Sequence, residues 1–277
     1  MADGLNVKDM KLYSEAQSIE ADLAALGHGP DKPFDVSVLW TFDQLHYHGV
    51  DSVQHAIDLL PIQTDATVLE VGAGWGGPSR YIAASAKADV TALELQEDFH
   101  TVGQSLTARA GLAGRVTHRL GDFLTEDFGE ARFDHLVSWL ALYHIPDRPF
   151  YTRRLFDLLK PGGTLFIEDL MRGPDFAATD EAVLSRELFS NSMVSEADYV
   201  TSLESAGFEI IEARNMTDDW RDFTRQRLSM FDGRQDAFIA IHGEALFQAR
   251  RHFYSKIVEY FTANAIGGFQ VAARRPA

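Results

Sequence analysis

The rhythm of the segment between residues 66 and 170 constrains this chain most. Short apolar runs alternate there with stretches of helical period. "ATVLEVG" (66–72), "DVTALEL" (89–95), "RVTHRLGD" (115–122), the start of "FDHLVSWLAL" (133–142) and "TLFIEDL" (164–170) read as strands. Helices are expected over 78–86, 98–110 and 148–163, the last stopped by Pro161-Gly162-Gly163. Strands joined by helices are too far apart in sequence for hairpins, so they must lie parallel in one sheet with helices on both faces.

Outside that segment the rhythm is looser. Residues 8–27 place Leu12, Ile19, Leu23 and Leu26 near a 3.6-residue period, with Tyr13 on the same helix. A second helix is expected over 50–60, ending at Pro61. After 170 come a helical stretch (180–206), a strand "FEIIEARNM" (208–216), a long mostly helical stretch (220–263) and a last strand "GGFQVAARR" (267–275). The long stretch separates two late strands and is far longer than a turn. It is expected to cap the carboxyl edge of the sheet.

Charge and composition narrow the function. The chain of 277 residues carries a formal charge of -16, which repels phosphate backbones and argues against nucleic acid as a partner. It has no cysteine, so disulfides, thiolate metal sites and thiol nucleophiles are excluded. The opening "MADGLNVKDMKLYSEAQ" lacks the basic start and apolar core of a secretory signal. No apolar run reaches the roughly 18 residues of a membrane helix. The expected location is the cytoplasm.

The chemistry begins at "VLEVGAGWGGPS" (68–79). Gly72 and Gly74 let the backbone approach a ligand closely, and the turn matches the dinucleotide pattern G-x-G-x-x-G. Glu94 ends the next strand, where a carboxylate suits ribose hydroxyls. Both features serve any adenosine cofactor. Glu70 separates the candidates, because a carboxylate beside the turn repels a pyrophosphate and attracts an ammonium or sulfonium. The competing role for Glu70 is a carboxylate spent on a backbone amide or helix end. Asp122 follows the third strand and suits adenine's exocyclic amine, with Phe123 against the ring; alone it reads as a turn or N-cap aspartate.

The quoted stretches, with "GDFL", "FDHLVSWLALYHI" and "LLKPGGTLFIED", resemble class I S-adenosylmethionine-dependent methyltransferases from about Thr41 to Leu170. "GWGGPS" and "FDQLHYHGVDSVQHAIDLL" are similar to the small-molecule branch, which includes phosphoethanolamine, sarcosine/dimethylglycine and sterol methyltransferases. The resemblance implies a Rossmann-like α/β fold: a seven-stranded, mostly parallel sheet with helices on both faces and the last strand antiparallel. It adds N-terminal helices and a helical cap. Residues 1–60 would form a helical lid and cofactor-covering segment, and 61–277 the methyltransferase domain with its cap at about 220–263. S-adenosyl-L-methionine is the implied cofactor. Gly72 and Gly74 would lie at its methionine portion, Glu94 and Leu95 at ribose and adenine, and Asp122 and Phe123 at the adenine end. Trp139 and Leu140 would line its reactive side, and Gln44, Leu45 and His46 would fold over it. His144 matches a catalytic histidine of the phosphoethanolamine enzymes. The acid those enzymes carry four positions earlier is Leu140 here, so a cationic amine acceptor loses an obvious partner.

The expected activity is in-line methyl transfer to a small polar or amphiphilic metabolite. A base is needed only where the acceptor has a proton to lose, and His144 is the candidate. Trp40, Tyr47, Tyr143 and Asp169 are candidates for the acceptor pocket. Arg221, Arg225 and Arg227 open the cap, and Arg225 is the candidate clamp for an acceptor carboxylate. No metal is expected, since the alternating His46 and His48 lack nearby acids. The partner is a small-molecule acceptor, without nucleic acid or a membrane span, and a homodimer remains open. Two other functions compete: a nicotinamide-dependent oxidoreductase, and a non-catalytic methyltransferase-like binding subunit.

Overall fold

The computed structural model describes residues 16–277; Tyr13 and the beginning of the first expected helix lie outside them. Seven strands form one sheet in the order β3-β2-β1-β4-β5-β7-β6. They are β1 (Thr67–Val71), β2 (Asp89–Glu94), β3 (Val116–Leu120), β4 (Phe133–Trp139), β5 (Leu159–Arg172), β6 (Glu209–Asn215) and β7 (Ile266–Arg274). β1 pairs in parallel with β2 and β4, and the parallel pairing continues to β3 on one side and β5 on the other. β7 runs antiparallel to both β5 and β6. This is the Rossmann-like α/β sheet expected from the sequence, with its one reversed strand last in the chain.

The strands alternate between two cores, because successive side chains leave opposite faces. Leu69, Val71, Leu136, Leu165, Ile167 and Phe269 join one core with α5 (Arg148–Leu158) and α7 (Glu196–Ala206). Val68, Val90, Val137, Phe166 and Ala272 join the other with α2 (Val50–Leu59) and α3 (Gly77–Ser85). Both faces are dry, which is why the central strands read as nearly continuous apolar runs. α4 (Glu97–Arg109) and α1 (Ser18–Ala25) share a smaller cluster around Trp75 and Phe99.

Three expected helices differ in extent, each for a local reason. The helix expected over 148–163 ends at Leu158, and β5 begins at Leu159. Gly162 takes a left-handed φ of 80°, and the pairing with β4 shifts register across this stretch, so Pro161-Gly162-Gly163 builds a bulge within the strand. The stretch 180–206 is two helices, α6 (Ala178–Leu188) and α7. Phe189 ends the first in a left-handed conformation, and the Ser195 hydroxyl accepts the Asp198 amide to start the second. The long stretch after β6 is three helices: α8 (Thr217–Asp232), α9 (Gln235–His242) and α10 (Glu244–Thr262), with breaks at Gly233 and Gly243. Among the described residues no helix is long and apolar enough to cross a membrane.

Candidate active site

The turn after β1 is shaped by close approach. Gly72 has φ 77°, and a Cβ there would overlap the Ala141 side chain at the end of β4. Gly74 has φ 54°, and a Cβ would come within 2.9 Å of Leu45. Gly77 stands against the Asp43 carbonyl and the Gln44 side chain. The segment around Asp43 to Leu45 therefore lies directly on the glycine turn. A buried ion pair fastens it there: Arg80 of α3 donates to the Asp43 carboxylate at 2.9 Å, with both side chains almost fully buried. His46 is buried as well, with Nδ1 3.0 Å from the Tyr47 carbonyl and Nε2 3.0 Å from Gln44 Oε1. Burial pushes its imidazole down to about 4, so it is neutral near pH 7.

Glu94 closes the turn from the β2 side. Its carboxylate accepts the Gly74 amide at 2.7 Å and the Gln96 amide at 2.8 Å. Each oxygen keeps a lone pair for a further donor. Burial raises its pKa, and these backbone donors oppose the rise. An exposed diol edge of a ribose fits such an acceptor. Leu95 follows it, half-buried.

Glu70 faces α3. One of its oxygens accepts both the Ser79 backbone amide and the Ser79 hydroxyl, so the carboxyl is partly spent on the start of that helix. Strand parity explains this: Glu70 points the same way as Val68, toward the α2 and α3 side. Burial pushes it up to about 8, against the pull of Ser79 and Arg80. Ser79 was not singled out in the sequence, although a serine in the first helical turn is an ordinary partner for a buried acid. After β3, Asp122 Oδ1 accepts the Leu124 amide in a turn. Phe123 is buried in the main core, with Arg154 5.4 Å from its ring centroid.

Above the ends of β1 and β4 lies a cavity of about 1010 Å³. Trp40, Gln44, Leu45, His46, Tyr47, Leu140 and Tyr143 all line it. The cap supplies the opposite wall, including Phe223, Arg227, Phe231, Phe238 and Tyr254. The expected acceptor residues Trp40, Tyr47 and Tyr143 thus meet in one space with part of the segment expected to cover a cofactor.

Among the expected site residues outside this lining are Arg225, Asp169 and Trp139. Arg225 does not line the cavity; its side chain is exposed and donates to Thr262. Two residues around a helix is about half a turn, so the face that presents Phe223 and Arg227 turns Arg225 outward. Asp169 sits behind the cavity wall, fully buried, accepting the Tyr199 hydroxyl at 3.0 Å. It shares its face of β5 with Leu165 and Ile167, toward α7, and burial pushes it up to about 7. Trp139 points with Val137 into the α2 side, where Nε1 donates to Ser52 at 2.8 Å and the ring stacks on His46 at 5.4 Å. It reaches the site only through His46.

His144 lies in the turn after β4, buried and outside the cavity lining. Nδ1 donates to the Phe189 carbonyl at 3.0 Å, which fixes the tautomer and leaves Nε2 as a lone pair with no hydrogen-bond partner among the described residues. Burial pushes the imidazole down to about 4. The ring lies 3.9 Å from that of Tyr143, which does line the cavity. Leu140, Asp147 and Phe189 all hold left-handed φ values of 51–58° around this turn, and such backbone strain is found where a turn is held in one shape by its surroundings.

A family model described as mycolic acid cyclopropane synthetase matches residues 41–271. Phosphoethanolamine N-methyltransferase 3 of Arabidopsis thaliana is 28% identical over 192 residues, 69% of this chain and 39% of its own length. The chain spans 38–39% of the length of the plant relatives it matches. An O-methyltransferase of Penicillium expansum, cnsE, is 30% identical over 156 residues, covering 56% of each chain. Haemonchus contortus phosphoethanolamine N-methyltransferase 2, solved with phosphomonomethylethanolamine and S-adenosylhomocysteine, superimposes with a TM-score of 0.82. That match has 17% identity over 99% of this chain and 61% of the other.

Proposed function

This chain belongs to the mycolic acid cyclopropane synthetase family of S-adenosylmethionine-dependent methyltransferases, and from that membership we propose that it methylates a small polar or amphiphilic metabolite. The observation that carries the proposal is the glycine turn closed by Glu94 and overlaid by residues 43–45, with the cavity opening immediately beyond Leu45 and Leu140. A turn whose glycines at 72 and 74 carry no Cβ, a buried diol acceptor and the overlying Leu45 side chain suit the cofactor's nucleoside and methionine parts. The relatives' names support the same class.

S-adenosylmethionine supplies an electrophilic methyl group on a sulfonium. This chain's residues hold the acceptor in line with it and exclude water. Such positioning is worth on the order of 7–11 kcal/mol at best. Leu45, His46 and Tyr47 cover the site from the N-terminal side, and the cap covers it from the other. Where the acceptor carries a proton, His144 Nε2 receives it, because that nitrogen is buried, unprotonated and without a partner among the described residues. The strained turn that carries His144 has to shift for Nε2 to reach the cavity.

The test is transfer of labelled methyl from S-adenosylmethionine to a panel of hydroxyl-, amine- and carboxylate-bearing small molecules. Label above a heat-denatured control is expected for at least one class. No transfer to any class, with cofactor product bound, would favour a non-catalytic binding subunit.

A further inference from the structure

The cavity's charge is opposite to that of the molecule. Its charged lining groups are Arg227, Arg234, Arg250 and Lys256 against Asp22 and Glu187, in a chain of net charge -16. Both acids are already engaged: Asp22 with His242 at 2.8 Å, and Glu187 with the Tyr260 hydroxyl. Lys256 pairs with Glu259. Among the described residues, no carboxylate pairs with Arg227, Arg234 or Arg250.

Arg227 is the best placed of the three. Its guanidinium lies 4.3 Å from the Tyr254 ring centroid and 4.9 Å from that of Tyr47, so two aromatic faces hold it in position within the wall. A guanidinium held flat presents its fork of donors with little further loss of freedom. The rest of the wall is predominantly aromatic and aliphatic, and Met230 and Ile241 line it while remaining 56% and 42% exposed. An apolar body therefore has both an interior and a way out past those two residues.

We propose that the acceptor is an anionic amphiphile, its carboxylate or phosphate held by Arg227 and its apolar body lying against the cap helices. The proposal rests on the methyltransferase reading for its site and specifies the class of acceptor. The local positive potential favours an anion over a cation of the same shape, and a charge-assisted, planar contact separates it from a neutral one. Leu140 at the cavity wall fits this, since an acid there would oppose the anion.

The test is isothermal titration of the full chain with decanoate, decanol and decyltrimethylammonium below their micelle concentrations, with and without S-adenosylhomocysteine. Decanoate should bind about tenfold or more tighter than either of the others. Arg227→Gln should bring decanoate to the level of decanol, while Arg225→Gln, on the outer face of the same helix, keeps the preference. Equal or inverted ranking of the three probes on the unaltered protein overturns the proposal, and so does an equal loss in both variants. The ranking on the unaltered protein decides the matter even where Arg227→Gln does not fold. Binding of S-adenosylhomocysteine without an anion preference removes this proposal alone. An anion preference without S-adenosylhomocysteine binding removes the methyltransferase reading and leaves the anion site.

Discussion

At the residue scale, two buried ionisable groups, Glu70 and His144, sit in environments that suppress their charge. Glu70 is pushed up to about 8 by burial, so near pH 7 it is mostly protonated in the protein alone. A bound cofactor cation close to it would reverse that shift. S-adenosylmethionine binding at pH 7 is therefore expected to release a proton, seen as a dependence of the titration heat on buffer ionisation enthalpy, and Glu70→Gln should abolish it. Unchanged proton release in the variant would leave Glu70 as a fastener of α3 through Ser79. His144 has the opposite sign. Its pKa is depressed from 6.5 to about 4, so the unfolded chain takes up a proton that the folded one refuses. Its contribution to stability is complete above pH 6.5 and is lost as pH falls through about 4. The melting temperature of His144→Gln should fall less between pH 6.5 and 4 than that of the unaltered protein. An acid limb in kcat/KM near pH 6.5 that disappears in this variant would contradict a buried, neutral His144.

The element scale is where sequence and structure part company most usefully. The alternating runs and the turn residues located every strand and the major helices. Side-chain direction was harder to read. Glu70, Trp139 and Asp169 stand at or near strand ends; position suggested that Glu70 and Asp169 face the ligand, and the family resemblance implied it for Trp139. Parity sends Glu70 and Trp139 toward the α2 and α3 side, and Asp169 toward α7. Helical phase likewise separates Arg225 from Arg227. These outcomes were legible in principle, since both periods can be counted. What could not be counted was which long-range partners meet, such as Asp43 with Arg80. That buried pair fixes the covering segment to α3, and removing one partner strands a buried charge. Asp43→Ala is expected to cost roughly 3–5 kcal/mol in denaturant unfolding. Cofactor-product affinity should fall with it, because residues 43–45 lose their anchor. A loss below about 0.5 kcal/mol, the usual size of an unremarkable surface change, would show that the segment is held by other contacts.

For the whole molecule, the parallel sheet was legible from the strand rhythm, and the family from the glycine turn together with the strand-end motifs. The cavity was not. It is assembled from the segment at 40–49, the turn after β4 and three cap helices more than 60 residues further on, and only folding brings them together. The contrast between an acidic surface and a cationic cavity also exists only in the folded state. Binding of a charged acceptor should accordingly weaken with salt less steeply than surface association would, because the enclosed contact is poorly screened. Titration of the purified chain with S-adenosylhomocysteine and, separately, with NADH tests the identity of the cofactor most directly. Binding of one equivalent of S-adenosylhomocysteine is predicted, at least about tenfold tighter than NADH and weakened about tenfold or more by Glu94→Ala. Binding of NADH alone, or affinity for S-adenosylhomocysteine indifferent to Glu94, would contradict the account.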